Sequence, residues 1–178
     1  MVARDLIGRL LRLRRPDGDL AATIIETEAY LGADDPASHS HRGPTPRAAI
    51  MFGPPGVAYV YLIYGMHHCL NAVTEPAGTG AAVLIRALDP EVPPGVTAVA
   101  ARARELRGPG LVCRAFGIDL GMNGWDLTTS NLRVLAGEPV ADQEVETGPR
   151  VGITRAADLP LRFRRRPRAA GVARSPRS

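Results

Sequence analysis

The sequence predicts a single α+β domain, built on a curved, mainly antiparallel β-sheet with a protruding hairpin and surrounding helices. Three observations support this prediction. The chain has 178 residues, enough for one domain with a sizeable core, and 45% of them are hydrophobic, which argues against disorder. Strand-like runs dominate the first half, and two of them meet at a glycine turn. Helical patterns are added around these strands.

The elements of the first half follow from the spacing of apolar residues. Leucines spaced i, i+4 and i+7 predict a helix over residues 4–13, and residues 19–31 have the pattern of a strand. Residues 32–50 are rich in Gly, Pro, Asp and Ser and predict a loop with at most a short helix. Residues 56–74 form two β runs, and a glycine turn at 64–66 makes a hairpin tip between them.

The second half mixes helices and strands. Residues 80–90 predict a buried strand that Asp-Pro ends, and residues 96–110 predict a helix that stops at Gly-Pro-Gly. A short helix is expected over 110–118, and late strands over 132–139 and 150–156.

Charge divides the chain into a body, residues 1–163, and a basic tail, residues 164–178, which we expect to be flexible. All 18 acidic residues lie at or before residue 158, and the last 20 residues hold seven of the 22 basic side chains. The last 20 residues therefore carry +7 and the rest of the chain −3, which together give the net +4. Such a tail indicates a polyanionic partner, with nucleic acid first. The alternative is a solvated tail with no specific partner.

Cysteine content and hydropathy argue for an intracellular protein without a membrane segment. The two cysteines, Cys69 and Cys113, give no disulfide framework and too few ligands for a zinc cluster. No apolar run approaches the length of a membrane span, and the arginine-rich N-terminus does not resemble a secretion signal. We expect a cytoplasmic protein, associated with the nucleoid through the nucleic-acid binding that the basic tail indicates.

The segment "IIETEAYL", residues 24–31, raises the question of what two glutamates do in an apolar, β-branched run. In a strand, Glu26, Glu28 and Tyr30 share one face, which would be a poor core face but a suitable wall for a polar cleft. A carboxylate beside apolar groups is partly desolvated, which raises its pKa and suits a general base that acts on water. The alternative is an ordinary exposed sheet face with two solvated glutamates.

The tyrosines are concentrated near this strand. All four lie between residues 30 and 64, and Tyr59 and Tyr61 point to the same side of their strand. Paired aromatics can form a slot for a planar base, and an aromatic side chain such as Tyr64 at a hairpin tip can act as a DNA wedge. The alternative for Tyr59 and Tyr61 is ordinary sheet packing.

The histidines are candidate metal ligands, and the arginines are candidate phosphate contacts or ion-pair partners. "HSH" at 39–41 and "HHC" at 67–69 match no common closed metal site, so no metal is expected. Arg47 and the arginines of the predicted helix, including Arg102, could contact phosphates or could be solvated. Arg86 differs because it lies within the apolar run "AAVLIRALDP", where an arginine is either paired with a buried carboxylate or part of a site.

Taken together, "IIETEAYLGADDPASHSHRGPTPRAAIMFGPPGVAYVYLIYGMHHCLNAVT", "VLIRALDP", "RGPG", "VCRAFGID" and "RVGI" resemble the alkyladenine (3-methyladenine) DNA glycosylase family. The resemblance covers nearly the whole chain to about residue 163. It implies an enzyme that flips a damaged purine nucleotide out of duplex DNA and hydrolyses its N-glycosidic bond, without a cofactor. The expected substrates are 3-methyladenine, 7-methylguanine, hypoxanthine and ethenoadenine in double-stranded DNA, and a monomer is expected.

The resemblance also implies roles for individual residues. Glu28 looks like the general base that activates water, and Arg86 looks like the group that orients it. Tyr30 and His39 would sandwich the flipped base, and Tyr61 would close the pocket edge.

Further residues follow from the same resemblance. Asn71 would contact the base edge and disfavour the 2-amino group of guanine, and the backbone of Val151 and Gly152 would lie near the water and the base. Tyr64 would be the wedge that enters the duplex. The remaining DNA contacts are assigned to Met66, Arg47, Met51 and Arg102.

The complete absence of lysine bears on the reaction type. Glycosylases that also cleave the strand usually form a Schiff base through an amine. We therefore expect a monofunctional enzyme that uses water and leaves an abasic site.

The C-terminus departs from the family pattern. The usual ending is replaced by "RFRRRPRAAGVARSPRS", so that a strand or pocket edge is either lost or remade, and removal of residues 164–178 is expected to flatten the salt dependence of DNA affinity. A non-catalytic nucleic-acid-binding module is the main alternative function, and a hydrolase of free nucleosides is a weaker one. Glu28 together with Arg86 separates the enzyme from the binding module, because a binding module needs neither.

Overall fold

One eight-stranded sheet runs through the computed structural model, which describes residues 1–93, 96–99 and 106–167. Every pairing between its named strands is antiparallel. The strands are β1 (Leu10–Leu13), β2 (Leu20–Tyr30), β3 (Ala58–Ile63), β4 (His67–Thr74), β5 (Ala81–Asp89), β6 (Leu132–Leu135), β7 (Val145–Gly148) and β8 (Arg162–Arg165).

The sheet has the order β3-β4-β5-β2-β1-β6, and β8 joins it through β2 and β7. The 11-residue strand β2 is the axis of this arrangement. β5 pairs along one of its edges, whereas β1 pairs with residues 20–23 and β8 with residues 26–28. The curled antiparallel sheet with few helices confirms the predicted α+β class.

An irregularity in β2 determines which side chains face the site. The pairing with β5 shifts register between Ile24 and Glu26 and again between Glu26 and Thr27. An extra residue in one strand reverses the alternation of faces beyond it. Ile24 therefore belongs to the main hydrophobic core, and so does Ala29, although their residue numbers differ in parity.

This irregularity corrects one detail of the sequence analysis. Strict alternation, with Glu26, Glu28 and Tyr30 on one face, would place Ile25 on the other face with Thr27 and Ala29, but Ile25 does not belong to the core cluster that contains Ala29. Glu26 lies within the irregularity, and the expected grouping of Glu26, Glu28 and Tyr30 on one side is found in the structure, where Arg86 contacts both glutamates and Tyr30 contacts Glu28.

The helices are short. Within residues 1–93, 96–99 and 106–167, the α-helices are α1 (Val2–Asp5) and α2 (Pro109–Phe116), and 3-10 turns occupy Gly32–Asp34, Ala49–Phe52, Leu120–Met122 and Asp142–Glu144. α2 begins with proline, whose fixed φ suits a first helical position, and ends at Gly117 with a φ of 69°. Its apolar residues Val112, Cys113 and Phe116 are buried, and the helix packs on β4 and β5. No helix among the described residues is long and apolar enough to cross a membrane.

The prediction of a helix over residues 4–13 is wrong. α1 ends at Asp5, and Gly8 adopts a φ of 89° before the chain enters β1. Leu10, Leu11 and Leu13 are all buried because β1 lies between β2 and β6. Tertiary pairing therefore overrides the helical spacing of the leucines.

Other late elements also differ. The strand predicted over residues 150–156 is a series of turns and bends, whereas β7 and β8 were not predicted. Of the helix predicted over 96–110, residues 96–99 are not helical, and Ala98 forms a β-bridge with Ala21. Residues 100–105, which include Arg102, lie outside the described residues.

The C-terminal edge of the sheet is remade rather than lost. β8 pairs with both β2 and β7, and it includes Arg164 and Arg165, the first two residues of the predicted tail. Residues 168–178 lie outside the described residues.

Candidate active site

Glu28 lies at the centre of the candidate site and is fully buried, with 0% of its surface exposed. Three groups hold its carboxylate. The backbone N–H of Val151 donates to Oε1 at 2.8 Å, and the Tyr30 hydroxyl donates to Oε2 at 3.1 Å. The guanidinium of Arg86 reaches Oε1 from Nε at 3.4 Å and Oε2 from Nη1 at 3.5 Å. A buried carboxylate with this set of donors has a fixed orientation.

The pKa of Glu28 is raised above its ordinary value of 4.5 because desolvation outweighs the other influences. Arg86, the Val151 amide and the Tyr30 hydroxyl oppose this rise, and the charge of Glu26 adds to it. A carboxylate balanced in this way is more basic than one in water. The same burial, together with the charge of Glu28, raises the pKa of Tyr30, which keeps the phenol protonated as a donor.

Arg86 lies between two carboxylates. Strand alternation places it on the same face of β5 as Leu84 and Ala82, and all three line the cavity. Its Nε is 3.2 Å from Oε1 of Glu26, closer than either of its contacts with Glu28. Arg162 of β8 approaches the same Glu26 oxygen at 3.5 Å. Arg86 is therefore both the partner of a buried carboxylate and part of the site, two readings that the sequence left as alternatives.

Aromatic side chains form the wall opposite Glu28. The rings of Tyr59 and Tyr61 are 5.2 Å apart on β3, and the His39 ring contacts Tyr61 edge-on at 4.7 Å. The hydroxyl of Tyr59 is 2.8 Å from Nδ1 of His39, so Tyr59 anchors the histidine as well as packing in the sheet. Desolvation, and secondarily the charge of Arg47, lower the pKa of His39, which favours the neutral imidazole.

The floor of the cavity comes from β4 and β5. Asn71 is buried opposite Tyr59 and donates from Nδ2 to its carbonyl oxygen at 3.0 Å. Cys69 pairs with Tyr61 across the strands and interacts with its hydroxyl through the thiol. The cavity that these residues enclose has a volume of about 240 Å³. Its lining includes Tyr30, His39, Met51, Tyr59, Tyr61, Cys69, Asn71, Leu84, Arg86, Val151 and Gly152.

A buried ion pair supports the loops at the cavity. Arg150 and Asp35 are both fully buried and bonded through two pairs of atoms, and Arg150 also donates to the carbonyl of Ala29 at 3.0 Å. The guanidinium lies 4.7 Å from the centre of the Tyr30 ring. One pair thus fixes the residue before Val151, the loop before His39 and the Tyr30 ring. Neither residue was predicted, because no spacing in the sequence relates positions 115 residues apart.

Three of the residues that are expected to contact DNA are exposed at or near the β3–β4 hairpin. Tyr64 and Met66 are 84% and 70% exposed at the tip of the β3–β4 hairpin, and Tyr64 also borders the cavity. Arg47 is exposed, stacks on Tyr61 at 4.8 Å and donates to the Leu62 carbonyl at 3.0 Å. These three positions are accessible to a DNA duplex.

Met51 differs from its expected role. Its side chain is 3% exposed and packs with Ala48, Tyr59, Val73 and Ala82 beneath the cavity. The DNA backbone contact expected for Met51 is therefore not accessible from the surface, because the 3-10 turn over 49–52 directs the side chain inward. Arg102 lies outside the described residues.

The structure brings together the residues expected at the base and the water. One cavity is lined by Tyr30, His39, Tyr61, Asn71, Arg86, Val151 and Gly152, and Glu28 lies behind this lining, bonded to Tyr30, Arg86 and Val151. Sequence reasoning missed Asp35 and Arg150, and it assigned no role to Cys69. In the part of the chain that the structure describes, no group of three or more His, Cys, Asp or Glu side chains could hold a metal ion.

Comparison with known proteins gives a consistent result. Residues 1–168 match the family model for methylpurine-DNA glycosylase (MPG). Three relatives are each named "Putative 3-methyladenine DNA glycosylase". The Myxococcus xanthus protein is 46% identical over 155 residues, which cover 86% of this chain and 76% of the relative. The Methanoculleus marisnigri protein is 48% identical over 172 residues (91% and 87%), and an Anaeromyxobacter dehalogenans protein is 49% identical over 168 residues (91% and 76%).

These matches confirm the family that the sequence motifs predicted. Because the family model and the relatives span most of the chain, the assignment applies to the domain that carries the cavity. The chain belongs to the methylpurine-DNA glycosylase family and is a DNA glycosylase, a hydrolase of N-glycosyl bonds in base excision repair.

Proposed function

We propose that this glycosylase flips an alkylated or deaminated purine nucleotide out of duplex DNA into the aromatic cavity, where a water molecule activated by Glu28 cleaves the glycosidic bond. The expected lesions are 3-methyladenine, 7-methylguanine, hypoxanthine and ethenoadenine. The observation that carries the proposal is the fully buried Glu28 carboxylate beside a cavity of about 240 Å³ with aromatic walls.

The chemical step needs few groups. Glu28 takes a proton from water as the water oxygen attacks the sugar C1′, and the bonding electrons of the glycosidic bond leave with the purine. Arg86 and the Val151 amide fix the orientation of the carboxylate. The 3-methyladenine and 7-methylguanine bases are cationic before cleavage and neutral afterwards, so they leave without a proton donor, whereas hypoxanthine and ethenoadenine are neutral before cleavage and need a proton to leave as neutral bases.

The cavity suits a cationic purine. Tyr30 and Tyr61 present electron-rich rings, which attract a cation through their faces. His39 is the third aromatic group, and its lowered pKa keeps it neutral, so that it does not repel the cationic base. Tyr30 and His39 are proposed to stack on the two faces of the flipped base, with Tyr61 at its edge and Asn71 against its polar atoms.

The hairpin tip is proposed to fill the gap that base flipping leaves in the duplex. Tyr64 supplies an exposed aromatic ring, and Met66 supplies an apolar side chain beside it. Insertion of such side chains between base steps is a known means of holding DNA open. Arg47 lies near the base of the hairpin, bonded to Leu62, and is proposed to contact phosphate.

A single-turnover assay tests this function directly. Duplexes that each contain one of the four lesions are mixed with excess enzyme, and free base and alkali-labile sites are measured. We expect base release, intact strands before alkali treatment and no borohydride-trapped complex, because the chain has no lysine. Tight binding to every lesion duplex without base release would instead indicate the non-catalytic module.

A further inference from the structure

We propose that Glu26 is a positioning residue for Arg86, and that its carboxylate holds the guanidinium back from Glu28. This inference rests on the proposed role of Glu28 as general base. It concerns a residue that lies next to the cavity lining without belonging to it, so that Glu26 acts through Arg86 rather than on the substrate.

Distances support this competition. Arg86 Nε is 3.2 Å from Glu26, whereas its contacts with Glu28 are 3.4 and 3.5 Å. Glu26 itself is fixed from the other side by Arg162 of β8, whose Nη1 is 3.5 Å from the same oxygen. The shortest contact of the guanidinium is thus with Glu26, and its contacts with Glu28 are longer.

Charge explains why this separation matters. A guanidinium that paired fully with Glu28 would stabilise the ionised carboxylate, lower its pKa and occupy the oxygens that must accept a proton from water. Glu26 prevents this in two ways, because it competes for Arg86 and because its own charge raises the pKa of Glu28. Two carboxylates, Glu26 and Glu28, are balanced by two guanidinium groups, Arg86 and Arg162.

The local fold places Glu26 for this role. It lies at the register irregularity between β2 and β5, where Glu26 pairs with Ala87 and Thr27 pairs with Ile85, so that Arg86 has no direct partner. The irregularity brings the Arg86 side chain between two glutamates that are two positions apart. The other charged or titratable groups around Glu28 are Tyr30 on β2, Arg150 before Val151, and Cys69, which interacts with Arg86 from β4.

The test is the pH dependence of the single-turnover excision rate of Glu26→Gln on a hypoxanthine duplex. Glutamine keeps the size and a hydrogen-bond acceptor but removes the charge. We expect the plateau rate to fall about tenfold, which corresponds to about 1.4 kcal/mol of transition-state stabilisation. We also expect the acid limb to move to lower pH, because Arg86 then pairs with Glu28 alone. Affinity for a duplex with an uncleavable abasic analogue should not change.

Glu146→Gln is the matched control. Glu146 pairs with Arg164 on β7 and β8, so it is a Glu–Arg pair at the same edge of the sheet with no contact to Arg86. Its rate and pH profile should equal those of the wild type. If Glu26→Gln shares the wild-type plateau and acid limb, or only loses thermal stability, the positioning role is wrong.

Arg162→Gln provides a second, independent variant if Glu26→Gln does not fold. It leaves both glutamates in place and removes the outer anchor of Glu26, so the plateau should fall while the melting temperature stays close to that of the wild type. A wild-type plateau for Arg162→Gln would contradict the proposal. Glu28→Gln distinguishes failure of this inference from failure of the proposed function. If Glu28→Gln is inactive while Glu26→Gln is normal, only this inference fails. If Glu28→Gln is active, the proposed function fails.

Discussion

Glu28 is a buried acid whose reactivity is set by groups on three different segments. Val151 and Arg86 stabilise the ionised form from outside β2, and Tyr30 does so from the same strand. Burial opposes all three and prevails, so the pKa of Glu28 is raised. Removal of either side-chain donor, Tyr30 or Arg86, should therefore raise the pKa of Glu28 further.

Tyr30→Phe tests the hydroxyl without removing the ring that is proposed to stack on the base. The change deletes a hydrogen bond to the ionised carboxylate, so the pKa of Glu28 should rise further. Because the base must be ionised, the acid limb of the excision rate should move to higher pH. The measurement is the single-turnover rate across pH 4.5 to 9, a range of about the usual stability window.

Tyr61→Phe is the control for that prediction. Tyr61 is also a cavity tyrosine, but its hydroxyl interacts with Cys69 rather than with Glu28. Its acid limb should stay at the wild-type position. Equal shifts in the two variants would mean that the hydroxyl of Tyr30 has no particular effect on Glu28.

At this scale the sequence singled out residues that the structure brings together, but not the ion pair that supports them. Glu28, Arg86 and Tyr30 could be singled out because charged and phenolic groups are unusual within apolar runs. Asp35 and Arg150 could not, because each is an ordinary surface residue by type and only the fold brings them together. The packing of Met51 beneath the cavity likewise depends on a turn whose direction the sequence does not specify.

The two loops that border the site contain little regular secondary structure. The segment around Arg150 has no strand or helix of its own, and the loop before His39 has only a 3-10 turn. The buried pair of Arg150 with Asp35 joins these two segments to β2 through Ala29. Within this part of the molecule, an ion pair replaces regular structure as the source of order.

Asp35→Asn should therefore be strongly destabilising. The change leaves the buried Arg150 without its counter-charge, which typically costs about 3–5 kcal/mol in the free energy of unfolding. The pKa of Asp35 is lowered from its ordinary 3.8, although burial alone would raise it, because Arg150 and the Ala37 and Leu31 amides hydrogen-bond to the ionised carboxylate. The stability that the pair contributes is thus present above pH 3.8 and is lost as the pH falls through the lower folded pKa.

Urea unfolding at neutral pH measures this effect, and Asp17→Asn is the control. Asp17 pairs with Arg15 at 2.8 Å, but on the surface, where loss of a pair costs about 1 kcal/mol or less. If both variants lose the same small amount, the buried pair does not hold the loops together.

At the tip of the β3–β4 hairpin, a substitution is expected to affect stability and activity differently. Tyr64 and Gly65 have φ values of 52° and 69°, as in tight hairpin turns, and a left-handed conformation is unfavourable for tyrosine by about 1–2 kcal/mol. Strain at an exposed position is consistent with a functional reason for the side chain. Tyr64→Gly should therefore keep or raise the melting temperature while it lowers the excision rate.

Tyr64→Phe is the matched variant, because it keeps a ring for insertion and should retain activity. Calorimetry and single-turnover excision on a paired lesion give both readouts. Full activity of Tyr64→Gly would show that the hairpin tip does not act as a wedge.

The prediction of elements succeeded where a strand pattern was continuous. β2, β3, β4 and β5 lie close to the positions expected from alternation and from the turn at 64–66. The helix predicted at the position of β1 was a wrong prediction, because three leucines in a buried strand have the spacing of a helix face as well. β7 and β8 are only four residues long, and three of the four residues of β8 are arginine, so no periodicity indicated them.

Across the whole molecule, arginine is distributed unevenly. β8 uses Arg162 and Arg164 in ion pairs with Glu26 and Glu146, so these arginines belong to the sheet. The tail that remains for non-specific binding therefore begins later than residue 164. Residues 168–178 contain three arginines and no acidic residue.

Deletion of residues 168–178 should weaken DNA binding in a salt-dependent way. If each of the three arginines neutralises one phosphate, the slope of log affinity against log salt should become shallower by up to about 2.7. The single-turnover rate at saturating enzyme should not change, because the site lies in the described domain. Binding titrations from low to moderate salt measure the slope, and an unchanged slope would contradict a role for the tail in phosphate binding.

A full-length variant in which Arg168, Arg174 and Arg177 are replaced by serine is the control for chain length. It should reproduce the slope of the deletion if charge is the cause. The wild-type slope in this variant, together with a reduced slope in the deletion, would assign the effect to something other than charge.

The most direct test of the account is the single-turnover excision rate of Glu28→Gln on a 7-methylguanine duplex, measured beside the wild type at neutral pH. Glutamine fills the same buried space but cannot accept a proton from water, so the rate should fall by about 10²–10⁴-fold while duplex binding is retained. Excision at the wild-type rate by a folded Glu28→Gln protein would contradict the claim that this carboxylate activates the water.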